Sequence, residues 1–144
     1  MSIFDSTNDT LPMPNSFDGV TIDNKSFSWN DLLGQDFWSA FTPLFGSLTV
    51  IGATIYTGRL RVVGASCQFQ VSFKAATSIA STAGTDYLTL PIPAKGIGGI
   101  ATMTNDTTNI AVGVCHVDVA PSRCYLPTQA ASANTFTLAG WYEI

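Results

Sequence analysis

From residue 47 to the C-terminus, apolar and polar residues alternate along short runs. Cys67, Phe69, Val71 and Phe73 alternate with Gln68, Gln70, Ser72 and Lys74, the period of two expected of a strand with one buried face. The run Tyr56–Val63 precedes it, and Gly64-Ala65 between them reads as a hairpin turn. Leu88, Leu90 and Ile92 alternate next, with Pro91 and Pro93 confining the end of that run to an edge or a loop. Ile100 to Thr104 gives a short strand, Asn105-Asp106 turns the chain, and Ile110 to Val119 gives a long one. Ala120-Pro121-Ser122 breaks it, and Arg123 to Leu126 is short. Phe136, Leu138, Gly140, Tyr142 and Ile144 alternate to the end. Val, Ile, Thr, Phe and Tyr dominate these runs, as sheets favour.

Seven or eight short strands separated by turn signals predict an all-β fold, a sandwich or a barrel. The first 27 residues, rich in Asp, Asn, Ser, Thr and Pro, read as an irregular arm that orders only against a partner. Between arm and strands, Ser28 is a candidate N-cap with Asp31 three residues on. Trp29, Leu32, Leu33, Phe37, Ala40 and Phe41 fall near helical spacing, although Gly34 weakens the pattern. One short helix near residues 29–40 is therefore expected. Trp29, Phe37, Trp38, Phe41 and Phe45 crowd this stretch; they either plug one end of the core or pack around a symmetry axis.

Composition narrows the picture. The chain has 144 residues, 46% hydrophobic and only 11% charged, against about 25% charged in an ordinary domain. The surface is then largely Ser, Thr, Asn and Gly, or partly buried against other subunits. Charge is uneven: six aspartates (Asp5, Asp9, Asp18, Asp23, Asp31, Asp36) face Lys25 alone in the first 36 residues. The rest is nearly neutral, with Asp86, Asp106, Asp118 and Glu143 against Arg59, Arg61, Lys74, Lys95 and Arg123. Neither half clusters Lys or Arg as phosphate binding requires, so no nucleic-acid partner is expected. No apolar run approaches the roughly 20 residues of a membrane span, and the start lacks a signal-peptide pattern. Synthesis and folding in the cytosol, without membrane insertion, are expected.

Several segments, in order, resemble the C-terminal β-modules of bacteriophage fibre, spike and head-decoration proteins. They are Trp38-Ser-Ala-Phe-Thr-Pro43, Ser47-Leu-Thr-Val50, Tyr56-Thr-Gly-Arg-Leu-Arg-Val-Val-Gly64, Cys67 to Phe73, Leu88-Thr-Leu-Pro-Ile-Pro-Ala94 and Thr137-Leu-Ala-Gly-Trp-Tyr-Glu-Ile144. The match covers residues 38–144 and departs from the family at Leu60, where an aromatic follows "GR". The resemblance implies a jelly-roll-like antiparallel β-sandwich that assembles as a homotrimer on a virion. The family's long fibre shaft is missing before the module, which implies a head fibre, a decoration protein or a short adhesin.

Candidate chemistry is thin. His116 and Asp118 share one strand face, but a Ser-His-Asp site needs a nucleophile, and no G-x-S-x-G elbow is present. Cys67, Cys115 and Cys124 fit no zinc or redox spacing and read as buried small hydrophobes in a reducing compartment; whether Cys115 and Cys124 pair stays open. Asp5/Asp9 and Asp18/Asp23 lack the D-x-D-x-D-G calcium pattern. Asp86 and Asp106 are the carboxylates a glycosidase would use, although loop acids commonly cap turns. Gly96-Ile-Gly-Gly99 lacks the lysine and helix of a phosphate loop. Trp141 lies opposite Tyr142 in the last strand: a stacking platform for a sugar, a trimer contact, or a buried ring.

The expectation is a non-enzymatic virion structural protein with no cofactor or metal. Residues 1–45 attach it to other capsid or tail proteins and help it trimerise, through Trp29, Leu32, Leu33, Phe37, Trp38, Phe41 and Phe45. The sandwich 46–144 faces outward, for capsid decoration or host-surface adhesion to a glycan. The alternatives are a cell-encoded carbohydrate-binding module and a small polysaccharide depolymerase using Asp86 and Asp106.

Overall fold

The computed structural model describes Val20–Ile22, Lys25–Phe27 and Trp38–Ile144. The chain divides into two units, Met1–Phe37 and Trp38–Ile144. In the first, β1 (Val20–Ile22) pairs antiparallel with β2 (Lys25–Phe27), a short ladder within a stretch expected to be irregular.

The second unit is all-β and antiparallel. Its strands are β3 (Ser39–Phe41), β4 (Leu44–Gly46), β5 (Thr49–Ile51), β6 (Thr54–Val63), β7 (Ser66–Ala75), β8 (Ser78–Ser81), β9 (Tyr87–Thr89), β10 (Gly99–Asn105), β11 (Ile110–Asp118), β12 (Arg123–Tyr125), β13 (Gln129–Ser132) and β14 (Phe136–Glu143). The longest of these strands follow the alternation read from the sequence. The total exceeds the expected seven or eight because pieces of three or four residues, such as β3, β4 and β13, are too short to show a period. Residues 29–37 of the expected helix, and its candidate cap Ser28, lie outside the described residues. Its end does not hold: Ser39–Phe41 is extended and pairs with β6, Ala40 opposite Arg59. The β-branched and aromatic run along β6 gives that segment a ladder partner, and the ladder outweighs weak helical spacing. The second compact unit begins at Trp38, and β3 and β4, which precede the expected boundary at residue 46, both belong to its sheet.

Nine strands form one sheet in the order β3-β6-β7-β14-β10-β11-β12-β9-β4, and β13-β8-β5 form a smaller one. The order dictates the shape. Strands β3 and β4 occupy opposite edges of the large sheet, yet only Thr42 and Pro43 separate them. Three Cα steps reach about 11 Å at most, whereas nine strands laid flat would span about 38 Å at ~4.8 Å per step. The sheet must therefore roll until its edges meet. Phe45 on β4 confirms the closure, with its ring 5.1 Å from Tyr56 on β6 and 4.9 Å from Phe73 on β7.

The core lies inside the roll. Cys67, Phe69, Val71, Phe73, Leu88, Ala101, Met103, Cys115, Val117, Cys124, Phe136, Leu138 and Tyr142 are all buried there. From the smaller sheet, Ile79 is buried in the same cluster and Val50 packs against it. The β6–β7 turn is the predicted one: Val63 pairs with Ser66, and Gly64 has φ of 60°, a left-handed value that glycine adopts without strain.

Candidate functional site

Because strand residues alternate sides, each buried position of the roll fixes an outward one next to it. On the wide stretch β6-β7-β14-β10-β11 the register aligns Arg61, Gln68, Trp141, Ile100 and His116 in one row. The row continues through Tyr125 on β12 to Tyr87 on β9. A second row holds Arg59, Gln70, Ala139, Thr102 and Val114, and a third holds Thr57, Ser72, Thr137 and Thr104. Large apolar side chains stand open here, with Trp141 at 45%, Ile100 at 48% and Val114 at 65% exposure.

The β6–β7 corner is the best-organised part. Arg59 donates from Nε (2.8 Å) and Nη2 to Gln70 Oε1, and Arg61 Nε donates to Gln68 Oε1 at 2.6 Å. The Trp38 ring lies against both guanidinium groups, 4.9 Å from Arg59 and 5.1 Å from Arg61, within cation–π range. Thr57, Gly58, Arg59, Gln70 and Ser72 line a hollow of about 280 Å³. At the other side of the sheet, Val114, His116, Tyr125, Leu126, Pro127, Thr128, Ala83 and Gly84 line a second hollow of about 460 Å³. Arg123 stacks 3.8 Å over the Tyr87 ring beside it.

The other sequence candidates have structural work in this fold. Asp86 is buried; its Oδ2 accepts the Thr82 N–H at 2.8 Å, and its carbonyl accepts the Leu126 N–H at 2.9 Å. Asp106 accepts the hydroxyls of Thr104 (3.0 Å) and Thr137 (2.6 Å). His116 and Asp118 do share the outward face, and Asp118 Oδ1 accepts the Ala120 N–H at 3.4 Å. Cys115 faces the core, away from its neighbour His116. Of the proposed assembly aromatics, Phe41 and Phe45 pack on their own core and Trp38 covers the arginines. Trp29, Leu32, Leu33 and Phe37 lie outside the described residues, as do Asp5, Asp9, Asp18 and Asp23.

Inside the roll, the Tyr142 hydroxyl accepts the Ile92 N–H at 3.2 Å. Burial, then its hydrogen bond with Cys67 opposite, pushes the Tyr142 phenol well above its usual range. Burial also raises the Cys67 thiol. Cys124 is raised further, first by its hydrogen bond with Cys115 and then by burial. All three cysteines are free and buried. Among the described residues, no group of three or more His, Cys, Asp or Glu is placed to hold a metal ion, and no helix is long and apolar enough to cross a membrane.

The arginine–glutamine pairs are legible in the sequence. Counting outward from Gly64-Ala65 sets Arg61 opposite Gln68 and Arg59 opposite Gln70. That the Trp38 ring covers both arginines required the β3–β6 pairing, which the sequence pattern hides. Compared with known proteins, the chain matches no family model, no curated protein and no solved structure. Fold and face together define an all-β domain whose most elaborated polar chemistry lies on the convex side of its sheet.

Proposed function

We propose that the chain is a non-enzymatic virion structural protein of a bacteriophage, a head fibre, decoration or short tail-fibre component. It assembles as a homotrimer, its N-terminal segment attaches to other capsid or tail proteins, and its β-body is displayed for capsid decoration or host attachment. The observation that carries this reading is the outer sheet face, where Trp141, Ile100 and, one row over, Val114 stand open on the sheet that also carries the arginine pair under Trp38. A contiguous exposed patch of this kind marks a surface that meets a partner. Two further facts support it. The body begins at Trp38, where the resemblance to phage β-modules also begins. Asp86 and Asp106, the carboxylates of the depolymerase alternative, are each already engaged, Asp86 by the Thr82 N–H and Asp106 by the Thr104 and Thr137 hydroxyls.

Native mass spectrometry of the full chain tests the assembly. A trimer of the 15.3 kDa protomer is expected across micromolar dilution, and a stable monomer overturns it.

A further inference from the structure

We propose that the outer face of β6, β7 and β14 binds an oligosaccharide bearing a carboxylate, with Arg59 taking the carboxylate and Trp141 carrying a sugar ring. This deepens the display reading by naming a ligand class and a site.

Charge argues for an anion. Strands β6 and β7 contain Arg59, Arg61 and Lys74, three of the five bases in the body, and no acidic residue; of the acids on or beside β14, Glu143 is held to the Ile97 N–H and Asp106 to the Thr137 hydroxyl. Arg59 is also pre-oriented. The Trp38 ring lies 4.9 Å from the guanidinium, and Gln70 Oε1 takes two of its N–H groups. A guanidinium has five donors in a fixed fork, so three remain for a ligand, in the planar arrangement that suits a carboxylate. Held from two sides, the side chain has little rotamer freedom left to lose on binding.

The remaining walls argue for a sugar rather than an acidic peptide. The hollow at Arg59 is completed by the hydroxyl-bearing Thr57 and Ser72, the Gln70 amide and Gly58. The two hydroxyls and the amide match ring hydroxyls, and the carbon surface between them suits the C–H face of a sugar ring. Trp141 adds an indole face, and two strand spacings and one outward step put its backbone about 12 Å from that of Arg59. One monosaccharide cannot span both, so the ligand is an oligomer.

The test is calorimetric titration of the full chain with uronate- and sialate-bearing oligosaccharides. Their methyl esters, the corresponding monosaccharides and polyglutamate are run alongside. Binding of at least one acidic oligosaccharide is expected, with its ester and its monosaccharide each about tenfold or more weaker, the scale of one lost charge-assisted bond. Arg59→Gln should cost a similar factor and Arg59→Lys less. Trp141→Ala, on another strand, should weaken the acid and the ester alike, and thermal melting verifies that each variant is folded. No binding by any acidic oligosaccharide, equal binding of acid and ester, an unaffected folded Arg59→Gln, or equal binding of polyglutamate overturns the site. A trimer that binds none of these probes removes the site and leaves the assembly; a monomer that binds the acid form does the reverse.

Discussion

Strand β7 carries two sequences in one. Its inward residues Cys67, Phe69, Val71 and Phe73 are at most 1% exposed and belong to one buried cluster. Its outward residues Gln68, Gln70, Ser72 and Lys74 are part-exposed or exposed, and the two glutamines accept from the arginines opposite them. The same ten residues of backbone thus serve packing on one side and present an open polar face on the other. The division teaches where substitutions should act. Inward changes are felt as stability, because a close-packed interior transmits any loss of volume. Outward changes should leave the fold alone and alter what the surface meets.

The largest effect should come from Phe73→Ala. Phe73 stacks on Phe136 at 5.7 Å and contacts Phe45 at 4.9 Å, so it joins the centre of the sheet to its closing edge. Truncating a buried Phe costs about 3–5 kcal/mol, and denaturant unfolding should show that loss. A cost below about 1 kcal/mol would mean that the edge closure contributes little to the roll.

Gly140→Ala should follow. Gly140 is on the inner face of β14, between Leu138 and Tyr142, in the place the alternation gives to a large residue. An added Cβ would collide with the Ala101 Cβ and the Ile100 carbonyl oxygen of β10, and overpacking of this kind costs about 1–3 kcal/mol.

Tyr142→Phe is smaller and has a pH signature. It leaves the Ile92 N–H without its partner, which should cost about 1–2 kcal/mol. The fold holds the Tyr142 phenol above its usual 10.0 and the Cys67 and Cys124 thiols above 9.0. Each raised group favours the folded state while it stays protonated. That stability is complete below the unfolded pKa and is lost as pH rises past it. The wild type should therefore lose melting temperature above pH ~9 and faster above ~10, and Tyr142→Phe should remove the second, steeper part.

How much of this was legible follows the same division. Period-two runs exposed the inner faces of β7 and β14, because burial imposes the alternation directly. The segment 38–46 was opaque. The rings at Trp38, Phe41 and Phe45 fit either a plug at one end of the core or packing around a symmetry axis; Phe41 and Phe45 do enter their own core, whereas Trp38 lies on the outer arginines. Three-residue strands carry too little pattern to set a period, and their partners β6 and β9 lie far along the chain. Trp141 was readable to its face but not to its exposure, which depends on what else covers the sheet. The outer site was half visible: the Arg and Gln pairs follow from the turn, and the tryptophan over them does not.

Trp141→Ala should have the smallest effect on stability, within about 0.5 kcal/mol, as for a surface change away from special features. The ring is 45% exposed and sits between Gln68 and Ile100 on the convex side, where its removal opens no cavity. The prediction is informative because the two faces could trade roles in an assembly. If Trp141 were buried between copies, the variant would lower melting temperature in a concentration-dependent way and shift the oligomer towards monomer, since association stabilises by mass action. An unchanged melt at every concentration, with the oligomer intact, would leave the ring on an outward surface available to a ligand.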